Sequence, residues 1–553
     1  MEPRIRGRDR CRLAAPVRRF DLLILVVAAL VARGAAAIVI GEPPYLDPAY
    51  YELVARQLVA GEGFTTPALW SFLEVGGRLP LDPGLPVPSN GHWMPLTSIV
   101  AAGSMAIFGA SRLAAELPMV IAGAVLVPLT AVVGWDLWGS RSVALLSGVL
   151  AIFAGPMLVF VPLVDSFALF GLGGFAAIYG ATRAVREPKG GLWLVLAGIG
   201  VGVATLTRID GMVLAIAPAV AWLVRRSMGP WRVDLPALSW RWAIASAAVT
   251  IVLLSPWLLR QQMVFGTPFP SAGGHTLWIT SFNEQFSIGH PIDLGTYLAS
   301  GAPAIIGSKL ESWGLLVGRT AVLLGGAFVF SFGYGMWHER HNAALAPFLV
   351  YWLALFVIMG GLFTLHAPQG AWYHSAWAWL PFAIPLAVGS FTPGTEALGR
   401  RALLFSRERN QRFLLGAAMA GAIALSIIGS ASLSVGWAAD ASRLAAITRF
   451  LNRHAEPSDV IMYVNPPAIS LSTGRRSVAP PFDPYPVIEA VVRAYDVAWI
   501  VVERQSGTSE DALGLWNGSS SIDSAGNRAT FLPREPALAS RSHRIFRVTP
   551  DRE

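Results

Sequence analysis

The chain has 553 residues, 54% of them hydrophobic and only 14% charged, with mean hydropathy +0.53 and a formal net charge of +8. Soluble proteins carry about 25% charged residues, so this composition excludes a soluble enzyme or nucleic-acid-binding domain and predicts a polytopic membrane protein. Its basic residues collect in short loops, as cytoplasmic loops require, and its single cysteine, Cys11, excludes an intrachain disulfide or a cysteine metal site.

Residues 1–20 are dense in arginine and predict a cytoplasmic tail. Leu22 to Ile40 is apolar, with no small-residue cleavage site before the polar loop that follows, which predicts an uncleaved signal anchor running outward. Residues 41–112 then form a first external loop with interfacial helices. Within it Tyr45 to Phe64, YLDPAYYELVARQLVAGEGF, reads as a short surface helix. Asp47 suits the N-cap, Pro48 the first helical position and Gly61 the far end. Tyr51, Val54, Ala55, Leu58 and Val59 make one apolar stripe, and Glu52 and Arg56 an i,i+4 pair on the other side. Lying on a membrane surface, such a helix leaves the Asp47 carboxylate at its mouth. On spacing alone, a cap and nothing more is the simpler account.

Residues 93–110, broken by Pro95, have about the minimum length of a crossing helix, roughly 17 residues. Later loops decide their reading. If this stretch only dips into the outer interface, the remaining spans are 113–135, 142–163, 166–183, 191–207, 210–224, 243–260, 313–336, 344–364, 375–393 and 413–434. Every basic cluster then falls inside: Gly139 to Arg141, Arg183 to Lys189, Arg225 to Arg241, His338 to His341 and Arg400 to Arg412. The first span makes eleven in all. With this topology Asp47, His92, Asp165, Arg208, Asp210, Arg260, His275, His366, Tyr373 and His374 all come to the external side. Charge at membrane depth is costly and therefore often functional. Each residue taken singly also has a plain account: Arg208 and Asp210 pair in a tight turn, Arg260 snorkels to head groups, and a lone loop histidine is solvated.

From Ala438 the apolar runs shorten to strand length, at Val460 to Val464, Val497 to Glu503 and His543 to Val548, with helical patterns at Ala441 to Arg453 and Pro486 to Ala494. Residues 437–553 therefore predict a small external α/β domain following a transmembrane module at 21–436. The whole reads as a mostly α, polytopic helical bundle.

Several stretches, in order, resemble landmarks of the lipid-linked-sugar glycosyltransferases of the C-type fold, which include bacterial protein O-mannosyltransferases and the aminoarabinose transferase of lipid A. LDPAYYELVARQLVAGEGF resembles the first-loop signature, HWMPL the segment that closes that loop, and PLVDSFALFGL the second acidic site. The paired spans from Ser111 to Ala151, TLTRIDG and PWLLRQQMVFGTPFPS are similar to further landmarks. The resemblance covers about half the chain. It implies inverting transfer of a sugar from a polyprenyl-phosphate donor to a glycan, lipid or protein acceptor, at the outer face of the cytoplasmic membrane. Asp47 would be the general base and Asp165 a second catalytic carboxylate. Arg208, Arg260, His92, His275 and His374 would bind the donor phosphate, and Tyr51, Asp210 and Tyr373 would position substrate. The resemblance needs no nucleotide, and the one cofactor it admits is a divalent metal ion. Three other readings stand beside it: a lipid or solute transporter or flippase, a glycan polymerase or ligase with a larger lipid-linked donor, and a non-catalytic scaffold. A transporter predicts matched halves and ionisable residues in mid-span. The sequence has no fixed-period repeat, and its ionisable groups read as lying at span ends.

Overall fold

The computed structural model describes residues 17–270, 274–399, 408–504 and 514–548. Cys11, most of the basic tail and the 400–407 part of the Arg400 to Arg412 run lie outside them.

Helix α1 (Arg19–Ile40) leads into α2 (Leu46–Val59), the short strands β1 (Thr65–Thr66), β2 (Ala68–Leu69) and β3 (Val87–Pro88), and α3 (Leu96–Phe108). Then come α4 (Arg112–Trp138), α5 (Arg141–Ile152), α6 (Phe167–Arg186), α7 (Gly190–Thr207), α8 (Ile216–Arg225) and α9 (Trp240–Phe265). They are followed by α10 (Ala302–Leu323), α11 (Phe328–His338), α12 (Ala346–Gly361), α13 (Trp372–Gly389) and α14 (Glu408–His454). The chain closes with β4 (Val460–Met462), α15 (Pro466–Thr473), β5 (Arg476–Val478), α16 (Tyr485–Ala494), β6 (Val497–Glu503), β7 (Leu538–Ala539) and β8 (His543–Arg547).

Among the described residues, six helices are long and apolar enough to cross a membrane: α1, α4, α6, α7, α9 and α14. The pair α10 and α11 makes a seventh, bent by 106°. The mostly α, multi-pass architecture expected from composition is present, but several expected spans are shorter or broken. Residues 313–336 are not one straight span. Gly325 and Gly326, at φ 70° and 75°, occupy the left-handed region that only glycine enters freely, and the helix turns there. Residues 142–163 likewise stop at Ile152, before Gly155 at φ 55°. Helix α3 has 13 residues, about 20 Å at 1.5 Å per residue, and falls short of a roughly 30 Å hydrocarbon core. Its length agrees with an interfacial segment. The expected span 413–434 and the expected helix 441–453 are one helix of 47 residues.

The chain divides into two compact units. The first comprises Met1–Val39, Glu116–Trp257 and Gly307–Ser434. Its centre is α6, whose glycines let neighbouring helices approach closely: a methyl on Gly173 would fall 2.6 Å from the Ala204 nitrogen of α7, and one on Gly174 2.3 Å from Ala378 Cβ of α13. Small residues at such intervals are how helices pack where no hydrophobic drive separates them from lipid. The expectation that ionisable groups keep to span ends does not hold throughout. Arg33, well inside α1, is fully buried with its guanidinium 5.1 Å from the Trp377 ring centroid.

The second unit comprises Ile40–Ala115, Leu258–Ile306 and Val435–Glu553. It is built on a six-stranded sheet of order β2-β5-β4-β6-β8-β7, parallel through β6 and antiparallel at β8 and β7. The expected α/β texture is there, with an edge strand that the C-terminal sequence does not supply. Strand β2 comes from the first loop, where the Pro67 and Leu69 carbonyls accept from the Ser477 and Ala479 N–H groups at 3.0 and 2.7 Å. Alternation along β4 sends Val460 and Met462 into a core with Leu69, Phe72 and Phe546, and sends Ile461 to the opposite face with Ile447 and Leu451 of α14.

Candidate functional site

In the second unit the first loop wraps a buried polar knot. Helix α2 starts two residues earlier than expected: Tyr45 is the N-cap, and Asp47 lies half-buried inside the first turn. Asp47 is therefore not the N-cap residue that the spacing suggests. The helix is not a surface helix either, because residues from Pro48 to Ala55 are buried, Glu52 of the expected polar pair included. Glu52 keeps only 3% exposure and holds Arg56 at 2.6 Å, and burial raises its carboxyl above the ordinary value. Gly61, at φ 84°, ends the helix as expected.

The Tyr50 hydroxyl donates to Glu74 Oε1 at 3.2 Å and accepts from the Asn90 N–H at 2.6 Å. Glu74 is buried, and the N–H groups of Gly91 and His92 also point at it. Burial pushes its carboxyl up to about 7, against the pull of these donors. Asn90, at φ 66°, takes the left-handed turn that asparagine tolerates, and its carbonyl accepts from Gln261 Nε2 at 2.8 Å. The neighbouring Arg260 donates to the Phe64 carbonyl at 3.2 Å and lies over the Phe64 and Phe265 rings. So Arg260 and Gln261 hold the first loop at Phe64 and Asn90. His92 stands edge-on to Trp70 and Trp93, at 5.3 and 5.2 Å between centroids, and Tyr51 is buried beside Tyr50 and Trp93. His275 is exposed, with Nδ1 3.4 Å from the Ile292 carbonyl, and joins none of these groups.

In the first unit a second knot forms where α6 begins and α13 begins. His374 Nδ1 lies 3.4 Å from Asp165 Oδ1 and 2.9 Å from the Ser166 hydroxyl, with its ring stacked on Phe167 at 4.1 Å. Asp165 also accepts from the Ser166 hydroxyl at 3.1 Å. Arg208 pairs with Asp210 at 3.0 Å, as the tight-turn account expects, and the other Asp210 oxygen accepts from Ser375, next to His374. The Arg319 guanidinium lies 5.1 Å from the Tyr373 ring centroid. Asp165, Arg208, Asp210, Tyr373 and His374 are thus gathered on adjoining chain segments. His366 is half-buried, one residue before a single π-type turn, Ala367–Ala371, that leads into α13.

Sequence reasoning missed Tyr50, Glu74, Asn90 and Gln261, and it missed Ser166, Ser375 and Arg319. The signal for Glu74 was a lone acid inside the apolar run SFLEV, and for Arg319 a lone cation inside WGLLVGRTAVLL. The two serines each follow a residue that had been singled out.

No family model matches the chain, and no curated protein matches it in sequence. Solved structures do. ArnT from Cupriavidus metallidurans, bound to undecaprenyl phosphate, is 15% identical, with 95% of this chain and 97% of that one covered and a TM-score of 0.58. The oligosaccharyltransferase AglB from Archaeoglobus fulgidus, in complex with an inhibitory peptide and a dolichol-phosphate, is 14% identical over 87% of this chain and 69% of that one, at 0.55. The Archaeoglobus enzyme in complex with Zn and sulfate gives 14%, 87%, 68% and 0.54. The chain has their fold. The C-type architecture that the ordered motifs resemble is therefore borne out at the level of the fold, across nearly the whole length of ArnT.

Proposed function

We propose that this chain transfers a sugar from a polyprenyl-phosphate donor to an acceptor at the outer face of the cytoplasmic membrane. The observation that carries the reading is the fold shared with ArnT over 95% of the chain, since that structure holds undecaprenyl phosphate and the AglB structure a dolichol-phosphate. In the reaction an acceptor hydroxyl attacks the anomeric carbon as the bond from that carbon to the phosphate oxygen breaks, and the configuration inverts. A hydroxyl is a weak nucleophile at neutral pH, so a carboxylate takes its proton. We assign that role to Asp47, the acid in the first turn of α2. The polyprenyl phosphate leaves with growing negative charge, which fixed cations stabilise. Arg208 and Arg260 are assigned to it from the sequence, and Arg319, beside Tyr373, joins them as a candidate. Asp210 and Ser375 hold Arg208 and the start of α13 in place.

Asp165 and His374 fit a divalent cation. Two donors at 3.4 Å stand as far apart as neighbouring ligands about 2.0–2.1 Å from a tetrahedral metal. A metal held there would supply positive charge toward the leaving phosphate.

The test supplies purified protein in nanodiscs with a panel of polyprenyl-phosphate monosaccharides and follows donor consumption by mass spectrometry. Wild type is expected to consume one donor and Asp47→Asn to lose that activity. Equal consumption by both removes Asp47 as base. No consumption of any donor by folded protein overturns the monosaccharide-transferase reading.

A further inference from the structure

The three helices α10, α11 and α12 of the first unit enclose a pocket of about 420 Å³. Val317, Phe332, Gly333 and Phe356 are among its walls, and Trp337 and Arg340 stand at the end where α11 runs out into the loop His338 to His341. The bend of 106° between α10 and α11 is what keeps the walls apart. Inside, the only polar side chain besides Arg340 and the Trp337 and Trp352 indoles is Thr320, whose hydroxyl donates to the Leu316 carbonyl and accepts from Trp372 Nε1. No group in the apolar part invites a sugar or a nucleotide.

The charged end is different. The Arg340 guanidinium lies 4.0 Å from the Trp337 ring centroid and is exposed; one of its N–H groups donates to the Trp337 carbonyl. Trp231 Nε1 donates to the Arg340 carbonyl at 2.9 Å, which brings the Arg225 to Arg241 loop, with Arg226 and Arg232, alongside. Glu339, the acid next to Arg340 in sequence, accepts from Asn342 at 3.0 Å. Both loops are among those whose basic residues mark the cytoplasmic side.

The geometry points to a binding site for an anionic glycerophospholipid of the inner leaflet, with an acyl chain in the pocket and its phosphate at Arg340. In a bilayer an apolar cleft does not by itself select a ligand, because lipid chains are as apolar as the leucines around them. The selection must come from the head group, and here the head-group end is cationic. That end also separates this ligand from the proposed sugar donor, whose phosphate belongs to the opposite leaflet. The inference does not depend on the transferase reading.

The experiment is native mass spectrometry of the full-length protein extracted from membranes, with exchange against vesicles of phosphatidylglycerol, phosphatidylethanolamine or undecaprenyl phosphate. Wild type is expected to retain phosphatidylglycerol in preference to phosphatidylethanolamine. Arg340→Gln is expected to cut that preference about fivefold, the effect of one arginine near a membrane surface. A methyl on Gly333 meets nothing within 4 Å, so Gly333→Trp fills the pocket without a backbone clash and is expected to lose the retained lipid. Val317→Trp fills it from α10 and guards against a folding defect in the first variant; both are checked for wild-type melting. Equal retention by wild type and the filled variants overturns the site, as does loss of undecaprenyl phosphate rather than phosphatidylglycerol from the filled variants or no preference between the two glycerophospholipids.

Discussion

Glu74 brings a carboxyl group into the interior of the first loop, where burial holds it at about 7 rather than 4.5. The folded chain therefore binds this proton more tightly than the unfolded chain. The stability that comes from the raised value is fully present below pH 4.5 and is lost as pH rises through 7. Over that window the change is of the order of 3 kcal/mol if the whole shift is realised. The melting temperature of wild type is expected to fall between pH 5 and 8, and Glu74→Gln to flatten that fall and melt higher at pH 8. A wild-type profile parallel to that of the variant would remove Glu74 as the cause. At Asp165 and His374 the expectation concerns metal: Asp165→Asn and His374→Ala should each weaken Zn²⁺ binding, read by titration calorimetry, by more than roughly tenfold. Unchanged binding in both variants would place any metal elsewhere. Asp165 and His374 were legible as residues at span ends, whereas Glu74 was not. A lone glutamate in an external loop looks solvated until Tyr50 and the Gly91 and His92 N–H groups are seen to enclose it.

At the scale of elements, the approach of α6 to α13 is set by glycine. Asp165 and Ser166 precede α6 and His374 opens α13, so helix separation fixes how close the acid and the imidazole come. Gly174→Ala adds a methyl 2.3 Å from Ala378 Cβ and 2.6 Å from its Cα, which only a movement of one helix can relieve. Such overpacking costs about 1–3 kcal/mol. The variant is expected to melt lower and to lose donor turnover, whereas Gly416→Ala in α14, where a methyl meets nothing within 4 Å, changes neither. Wild-type turnover in Gly174→Ala would mean that the spacing does not matter. Hydropathy and charge read most helices within a few residues, because apolar length and basic loops are local signals. They read the α10–α11 bend as a straight span, because GGA at Gly325 to Ala327 leaves apolarity unbroken while freeing the backbone to turn. They also read α2 as lying on a surface, since its burial comes with packing against α3 and α15, and α15 is distant in sequence.

Over the whole molecule, the sheet of the second unit draws on both ends of the sequence. Residues 437–553 expressed alone would lack β2 and the Leu69, Phe72 and Val87 side chains that complete one core, and would present the β5 edge unpaired. That fragment is expected to aggregate or to melt well below the unit in the full chain, read by light scattering and circular dichroism; a soluble, cooperatively melting fragment would contradict this. Leu69→Asp in the full chain, which puts a charge where Leu69 is 0% exposed, is expected to destabilise the C-terminal sheet although it lies in the first loop. The pairing of Leu69 with Val478 also sets a clock. A ribosome adding roughly 5 to 20 residues per second needs roughly 20 to 80 s to travel from one partner to the other. Throughout that interval the loop that carries Asp47 has been made but β2 has no strand to pair with, so the final form of the loop waits on a partner made long after it. A premature stop just after residue 454 would leave the crossing helices of the described residues in place and the Asp47 loop unfinished.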